Sequence, residues 1–316
     1  MFKKQILTAN NGFLRQTYRE QGVRGCCKKI SSVLKMMLPL WTLGRRTNQS
    51  VAAYFDLITD DARMFYGDNF HFGYFYDGTN TLEDALNAHT DLVATMARIE
   101  ASKDVLDIGC GICTPAIRIT KQYNCHITGV NLSAEQVRQG RDQVVAQNLS
   151  NRILVVEENA LQLPFAAGSY DSVLCLEVAG DICVKKSQKK MFVQQIHRML
   201  KPGGYAGFSD LVFTGFPDEA EEKTMEAILY HKGRELVTDW PKIFRENGFQ
   251  IEEQKNIINE TMPTWQYSIA VYEKKHAEVV QRYGKKIAET TLGHLRKMTE
   301  ILEKYGSFPV LSLRKI

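Results

Sequence analysis

One stretch decides the fold of this chain: Val105-Leu-Asp-Ile-Gly-Cys-Gly-Ile-Cys-Thr-Pro115. An apolar run ends in Asp107, the chain turns at Gly109-Cys-Gly111, and Thr114-Pro115 opens a helical pattern. This order predicts a buried parallel strand, a glycine turn and a helix N-terminus. Glycines let the backbone approach a ligand, and the turn aims free N–H groups and a positive dipole end at it. Structural turns also contain Gly-x-Gly, so the following segments decide its meaning.

The composition is that of an ordinary globular protein. The chain has 316 residues, of which 44% are hydrophobic and 24% charged, enough for one large domain with a cap. A net charge of +4 without a clustered basic face argues against a nucleic-acid partner. Seven scattered cysteines and no secretory signal are typical of a cytoplasmic protein. Cys110 and Cys113 form a CxxC pair, but no second pair completes a zinc site, so we predict no metal.

Residues 28–41 combine lysines at 28, 29 and 35 with an apolar side and Trp41. The segment is too short and too charged to span a bilayer. Two interpretations stay open. It forms either an amphipathic helix on a membrane surface or a helix packed on the protein's own body or on a second subunit, and we favour packing. An oligomer is therefore one option.

An aromatic cluster lies between residues 51 and 100. Its segments are Tyr54-Phe-Asp56, Phe65-Tyr-Gly67 and Asp68-Asn-Phe-His-Phe-Gly-Tyr-Phe-Tyr76. The glycines exclude a regular helix through 63–76. The cluster is either a lid whose rings and His71 line a pocket, or an aromatic core between the N-terminal helices and the main domain. Leu82 to Ile99 is then predicted to be a helix.

From 101 to 258, strand and helix patterns alternate, as an α/β sheet requires. After the first unit we predict strands at 125–130, 153–156, 170–176, 205–212 and 249–258, with helices at 133–147, 187–200 and 239–247. Polar residues follow four strands: Asp107, Asn131, Asn159 and Glu177. Ligands of such sheets lie across the carboxyl ends of the strands, so we expect these four side chains to converge.

Together these pieces resemble the class I S-adenosylmethionine-dependent methyltransferases. The matching segments are Val105–Gly111, Gly129-Val-Asn-Leu-Ser-x-x-Gln136, Asn159-Ala-x-x-Leu-Pro-Phe165, Ser169-Tyr-Asp-Ser-Val173 and Leu200-Lys-Pro-Gly-Gly204. The resemblance implies a Rossmann-like seven-stranded sheet that binds S-adenosylmethionine. It also implies an N-terminal helical and aromatic cap at 1–100, the cofactor domain at 101–258, and a helical insertion with the final strand at 259–316.

The resemblance also implies a cofactor site. Its residues are Tyr54, Asp107, Gly109, Cys110, Gly111, Asn131, Leu132, Gln136, Asn159, Ala160 and Glu177. The glycine turn would hold the methionine end, Asn131 would face the ribose, and Asn159 with Ala160 would face the adenine. Glu177 would lie near the transferred methyl group or the amino acid part. The chain departs from the family where Cys113 replaces a glycine and where amides replace the acids at 131 and 159, although amides still accept and donate hydrogen bonds.

Two subgroups share further features with this chain. The motif Asn131-Leu-Ser-x-x-Gln136 is similar to the corresponding segment of sterol and tocopherol C-methyltransferases. The cap segments around Tyr54, Phe65 and His71 are similar to sarcosine/dimethylglycine-type N-methyltransferases, as is the helical insertion before the last strand. In those relatives the insertion closes the acceptor pocket.

Methyl transfer from a sulfonium is an in-line displacement in which alignment lowers the barrier. An amine acceptor must lose a proton and a carbon acceptor can need a base, so our catalytic candidates are His71, Tyr66 and Glu177. The ring of Tyr74 is expected to shape the pocket and to stabilise a cation, as is that of Tyr54. The other histidines we assign to solvated or packing positions: His89, His126, His197, His231, His276 and His294.

We therefore predict a methyltransferase that acts on an amine nitrogen or a carbon of a small organic molecule. The alternatives are a lipid or prenyl acceptor at a membrane surface, and a protein that binds S-adenosylmethionine without catalysis. A nucleic-acid methyltransferase fits poorly, because Leu-Glu177-Val-Ala stands where base-modifying enzymes of this fold carry Asn/Asp-Pro-Pro-Tyr.

Overall fold

A computed structural model describes residues 51–56, 59, 63, 67–77, 79, 81–183, 185–215, 218–229 and 238–316. Four predictions therefore lie outside the described residues: the helix at 28–41, the ring of Phe65, the catalytic role of Tyr66 and the solvated or packing position of His231.

Helices and strands alternate through the described chain, after a helical segment at 51–56. In order they are α1 (Leu82–Met96), β1 (Asp104–Ile108), α2 (Thr114–Tyr123), β2 (His126–Asn131), α3 (Ala134–Ala146), β3 (Ile153–Glu157), β4 (Tyr170–Leu176), α4 (Ala179–Ile182), α5 (Lys186–Met199), β5 (Leu200–Ser209), β6 (Val212–Phe213), α6 (Glu219–Leu229), α7 (Trp240–Glu246), β7 (Phe249–Asn256), α8 (Ile258–Lys274), α9 (His276–Tyr283), α10 (Lys285–Tyr305), β8 (Gly306–Ser307) and β9 (Pro309–Lys315). A short 3-10 helix, Ile99–Ala101, precedes β1.

Seven of the strands form one sheet, in the order β3-β2-β1-β4-β5-β9-β7. The five strands from β3 to β5 are parallel, and β9 runs antiparallel between β5 and β7. The strand order reverses between β1 and β4. The predicted seven-stranded α/β sheet is confirmed, with helices α8 to α10 inserted before the last strand.

Strand β1 carries the apolar side chains of Val105, Leu106 and Ile108 because both faces of the sheet are covered. Val105 joins the core that contains Val93 of α1 and Ile117 of α2, whereas Leu106 joins the core that contains Phe192 of α5. These side chains are all buried. The sheet therefore lies between two helical layers, and its strand ends are fixed by packing on both sides.

Several boundaries differ from the sequence prediction. The helix predicted to reach Ile99 ends at Met96, because Arg98 adopts a left-handed conformation. Strand β5 begins at Leu200 and not at Tyr205, since a bulge in its pairing with β4 takes up the Pro-Gly-Gly segment. Within the described parts of the chain, no helix has the length and apolar character that a membrane span requires.

Candidate functional site

The polar strand ends lie at one edge of the sheet. Asp107 in β1 is opposite Gly129 in β2 and Leu174 in β4, and Asn131 at the end of β2 is opposite Glu157 at the end of β3. This edge is also where the strand order reverses, which is the usual position of a ligand in an open α/β sheet.

The glycine turn is held tightly against its neighbours. Gly109 and Gly111 have φ angles of +76° and +54°, a region that side chains disfavour. A Cβ atom on Gly109 would lie 2.2 Å from Cγ2 of Val178. The backbone N–H groups of Gly109 and Cys110 both donate to the carbonyl of Val130, at 2.8 and 3.1 Å. These two N–H groups therefore fix the turn to β2.

Cys113, in place of the family's glycine, keeps a glycine-like backbone with φ of +68° at the N-terminus of α2. Its sulfur lies 3.7 Å from the sulfur of Cys110. A Cβ atom on Gly140 would lie 2.8 Å from Sγ of Cys113, and one on Gly129 would lie 2.9 Å from Sγ of Cys110. The two thiols thus fill the spaces that these glycines leave, which explains how the cysteine is accommodated.

Asp107 is 3% exposed, and its Oδ2 has no hydrogen-bond partner within the described part of the protein. Burial raises the pKa of this carboxyl to about 7. A buried oxygen without a partner is costly unless a ligand supplies a donor. The amino group of S-adenosylmethionine is such a donor, so Asp107 and the open cradle at Gly111 fit the cofactor that the sequence implies.

On the ribose side, Asn131 is held by its own neighbours. Its Oδ1 accepts from the backbone N–H of Ser133 at 3.1 Å, and its Nδ2 donates to Oε1 of Gln136 at 2.7 Å. Nε2 of Gln136 then donates to the hydroxyl of Thr59, and the hydroxyl of Ser133 donates to Oδ1 of Asp56 at 2.6 Å. The cap segment therefore binds directly to the residues beside the predicted ribose position.

The other predicted cofactor residues are buried or half-buried. Oδ1 of Asn159 accepts from the backbone N–H of Leu161 at 2.9 Å, and Ala160 is buried. Leu132 is half-buried directly after Asn131. Tyr54 is half-buried in the helical segment at 51–56.

A second group of polar side chains surrounds the peptide of Phe72. Its backbone N–H donates to Oε1 of Glu177 at 2.7 Å. Its carbonyl accepts from Nδ1 of His89 at 2.7 Å and from Nδ1 of His71 at 2.9 Å. Nδ1 of His89 is also 3.4 Å from Oε1 of Glu177, and Nε2 of His71 is 3.3 Å from the hydroxyl of Thr90. We call His71, His89 and Glu177 the His–His–Glu cluster.

Burial disfavours the charged forms of all three side chains. Loss of solvent lowers the pKa of His71 to about 4 and, together with the nearby His71, lowers the pKa of His89 to about 3. Burial also raises the pKa of Glu177 well above its usual range, with a smaller contribution from Asp210. Imidazoles and buried carboxyl groups exchange protons when a charge appears beside them.

The same three side chains offer ligand atoms within 4.8 Å of one another, a spacing that a metal ion would accept. However, the Nδ1 atoms of His71 and His89 both point at the carbonyl of Phe72, which can only accept a hydrogen bond. Both Nδ1 atoms therefore carry protons, which leaves the Nε2 atoms as the imidazole lone pairs of the cluster.

The turn and the His–His–Glu cluster adjoin each other. Val178 lies against Gly109, and the ring of Phe70 is 3.6 Å from the Cβ position of Gly111. The chain neighbours of these two residues are Glu177 and His71. Glu177 has a φ angle of +54°, so the backbone turns sharply as β4 ends.

Part of the aromatic segment belongs to the core, as one of the two interpretations predicts. Phe72 packs on Trp265 and Phe308, with ring centroids 5.4 and 5.9 Å apart, and so belongs to the core. Tyr74 and Tyr76 stack on each other at 5.4 Å, and Tyr76 is exposed. His71 instead joins the polar cluster.

The sequence prediction missed two polar residues of this region. His89, which was assigned to solvated or packing positions, is fully buried in the cluster. Asp210 follows β5, is buried, and accepts from the backbone N–H of Gly180 at 2.6 Å; burial and the nearby Asp181 raise its pKa to about 8. The expectation that polar residues at the carboxyl ends of strands form the site identifies Asp210 once β5 is known to end at Ser209 and not at Val212.

Comparisons with known proteins agree with this geometry. The profile of a family described as a methyltransferase domain matches residues 105–204. The 27-O-demethylrifamycin SV methyltransferase of Amycolatopsis mediterranei is 27% identical over 272 residues, which are 85% of this chain and 98% of that protein. The sterol 24-C-methyltransferase of Candida albicans is 28% identical over 228 residues, which are 69% of this chain and 58% of that protein.

Solved structures share the fold. The cyclase SpnF is 25% identical with a TM-score of 0.69, covering 85% of this chain and 97% of that one. Mycolic acid cyclopropane synthase CmaA1, solved with SAH and CTAB, has a TM-score of 0.73 at 17% identity, covering 85% and 99%. Geranyl diphosphate methyltransferase, solved with GPP and sinefungin, has a TM-score of 0.62 at 17% identity, covering 85% and 99%. The sheet topology, the glycine turn and the matched domain lead to one assignment: the chain carries a methyltransferase domain with the fold of the class I S-adenosylmethionine-dependent methyltransferases.

Proposed function

We propose that this methyltransferase acts on a carbon or amine nitrogen of a small organic acceptor, and that His71 and Glu177 receive the proton that the acceptor loses. The observation that carries this proposal is the buried His–His–Glu cluster beside the glycine turn. When bound, S-adenosylmethionine supplies an electrophilic methyl group. The protein must then align the acceptor, exclude water and accept a proton.

The proposed cofactor contacts follow the strand ends. Asp107 with Gly109, Cys110 and Gly111 takes the amino acid part, and Asn131 with Gln136 takes the ribose. The remaining contacts are assigned to Tyr54, Leu132, Asn159, Ala160 and Glu177. The division into a cap (1–100), a cofactor domain (101–258) and an insertion with the last strand (259–316) stays part of this proposal.

His71 is suited to accept the proton. Its Nδ1 carries a proton because it donates to the carbonyl of Phe72, so its Nε2 holds the lone pair. Because burial lowers the pKa of His71 to about 4, this lone pair is unprotonated at neutral pH, where it faces the hydroxyl of Thr90 at 3.3 Å. Glu177 responds to a cation beside it, since a positive charge on the acceptor favours the carboxylate form of a buried acid.

The test is a methyl-release assay with labelled S-adenosylmethionine. The acceptor panel includes a sterol, geranyl diphosphate, sarcosine and 27-O-demethylrifamycin SV, because similar proteins are named for these or related molecules. We expect turnover on a carbon or amine acceptor. Transfer only to 27-O-demethylrifamycin SV, whose acceptor atom is a hydroxyl oxygen, would overturn the proposed acceptor class. Tight cofactor binding with no turnover on any acceptor would favour a protein without catalysis.

We expect His71→Ala to reduce kcat by about 100-fold, the low end of what general acid–base catalysis contributes, while leaving affinity for S-adenosylhomocysteine unchanged. The matched control is His126→Ala, because His126 is exposed at the other end of β2. Turnover of the His71 variant at the control's rate would remove His71 from the mechanism.

A lipid or prenyl acceptor at a membrane surface is the second candidate. Residues 1–50 contain ten Lys and Arg residues against one Glu, whereas the rest of the chain is net acidic. Such a basic segment is attracted to anionic lipid headgroups. Co-sedimentation of the full chain, and of one without residues 1–45, with phosphatidylserine and phosphatidylcholine vesicles tests it. Binding of the full chain alone, and only to the anionic vesicles, supports this candidate.

A further inference from the structure

The peptide of Phe72 connects every member of the His–His–Glu cluster. Its carbonyl oxygen accepts from His71 and His89, and its N–H donates to Glu177. This N–H belongs to the peptide before Phe72 and the carbonyl to the peptide after it, and each peptide unit is planar. The φ and ψ torsions of Phe72 therefore couple the N–H bond to Glu177 with the carbonyl bonds to the two histidines.

His89 is a fixed anchor for this backbone. It lies on α1, is 0% exposed, and packs edge-to-face on Phe308 and on His71, with ring centroids 5.4 Å apart in both cases. Its Nδ1–H donates to Phe72 at 2.7 Å, so its Nε2 carries the lone pair, and this atom has no hydrogen-bond partner in the described part of the chain. The short hydrogen bond of His89 is therefore to Phe72, while the same Nδ1 lies 3.4 Å from Oε1 of Glu177.

The neighbouring backbone is attached independently of His89. The N–H of Tyr74 donates to the carbonyl of Ala85 in α1 at 2.8 Å, and the N–H of Gly73 donates to the hydroxyl of Thr264 in α8 at 2.9 Å. Loss of the His89 bond would consequently leave the segment on α1 and α8. It would remove one of the bonds that orient Phe72, whose carbonyl also accepts from His71 and shares a peptide unit with the N–H of Gly73.

We propose that His89 is a positioning residue for methyl transfer: it orients the backbone of Phe72, and through it the carboxyl of Glu177 and the ring of His71. This inference rests on the proposed function, in which Glu177 and His71 take up a proton. His89 itself is too deeply buried to be assigned a contact with the acceptor.

Loss of the His89 bond should change the pKa of Glu177 in one direction. The ionisable groups that face it are His71 from the cap segment, His89 from α1, Asp181 from α4 and Asp210 after β5. Burial, Asp210 and Asp181 all raise the pKa of Glu177, and the N–H of Phe72 is the contact that lowers it. Releasing this N–H should therefore raise the pKa of Glu177 further.

Two substitutions separate positioning from packing. The side-chain amide of His89→Asn places a donor near the position of Nδ1, whereas His89→Leu fills the space without a donor. Carboxyl ¹³C NMR of glutamate-labelled protein, with Glu177→Gln to assign the signal, gives the titration of Glu177 without any acceptor. We expect its midpoint to move to higher pH in His89→Leu and to stay at the wild-type value in His89→Asn.

Turnover should follow the same order. We expect kcat to fall about 100-fold in His89→Leu, as a small misplacement of reacting groups does, with S-adenosylhomocysteine affinity unchanged and with recovery in His89→Asn. If the leucine variant does not fold, His89→Gln replaces it, because its longer side chain carries the donor past this position. Equal midpoints in all variants would overturn the proposal, whereas a shifted midpoint without methyl transfer by the wild type would overturn only the proposed function.

Discussion

Gly109 occupies a position that leaves no room for a side chain. Its φ angle is +76°, and an added Cβ would lie 2.2 Å from Cγ2 of Val178, the residue after Glu177. We expect Gly109→Val to abolish binding of S-adenosylhomocysteine in calorimetry, because the new side chain must displace either the turn or the end of β4.

The control for Gly109→Val is Gly203→Val. Gly203 has a similar φ angle of +75°, but nothing lies within 4 Å of its Cβ position. That variant carries the backbone strain of a left-handed residue, about 1–2 kcal/mol, without filling the turn. It should lose stability and keep wild-type affinity. Normal binding by the Gly109 variant would show that the turn does not hold the cofactor.

At the scale of elements, α2 and α3 approach each other through Cys113 and Gly140. Alanine in place of a helical glycine ordinarily stabilises a protein by about 1 kcal/mol. Here a Cβ on Gly140 would lie 2.8 Å from Sγ of Cys113. We therefore expect Gly140→Ala to destabilise the wild type but to stabilise a Cys113→Ala background.

A double-mutant cycle from urea unfolding measures this coupling. Changes in the free energy of unfolding at distant, independent sites add within about 0.5 kcal/mol. A coupling energy above that limit is therefore expected for two residues in contact. Cys113→Ala retains the left-handed backbone and removes only the sulfur, so backbone strain cancels in the cycle. Additive free energies of unfolding would mean that the two helices do not share this contact.

For the molecule as a whole, local patterns predict the frame of the site but not its polar cluster. The apolar run, the glycine turn and the helix predicted at 133–147 are local signals, and each lies where the sequence predicts. The cluster instead joins Phe72 to Glu177, 105 residues away, through a backbone N–H that no side-chain pattern encodes. His89 was missed for the same reason, since its partner is a backbone carbonyl 17 residues away.

Buried acids and histidines should also shape the stability of the whole protein against pH. Asp107 and Asp210 have pKa values of about 7 and 8 in the folded chain, above their ordinary 3.8. The folded state therefore binds more protons than the unfolded state between about pH 4 and 8, and stability falls as pH rises through that window. His71 and His89, with lowered pKa values, act in the opposite sense, but only below about pH 6.5.

Above pH 6.5, neither histidine therefore offsets the loss of stability that the two aspartates cause as the pH rises. We expect the free energy of unfolding of the ligand-free protein to fall from pH 6.5 to 8.5, with each buried acid contributing at most about 1.4 kcal/mol per pH unit. Asp210→Asn should make the fall shallower, because the amide has no proton to lose. Asp142→Asn, on the exposed face of α3, should leave the slope unchanged. Urea unfolding at four pH values measures all three slopes, and an Asp210 variant as steep as the wild type would mean that this carboxyl is already ionised in the folded protein.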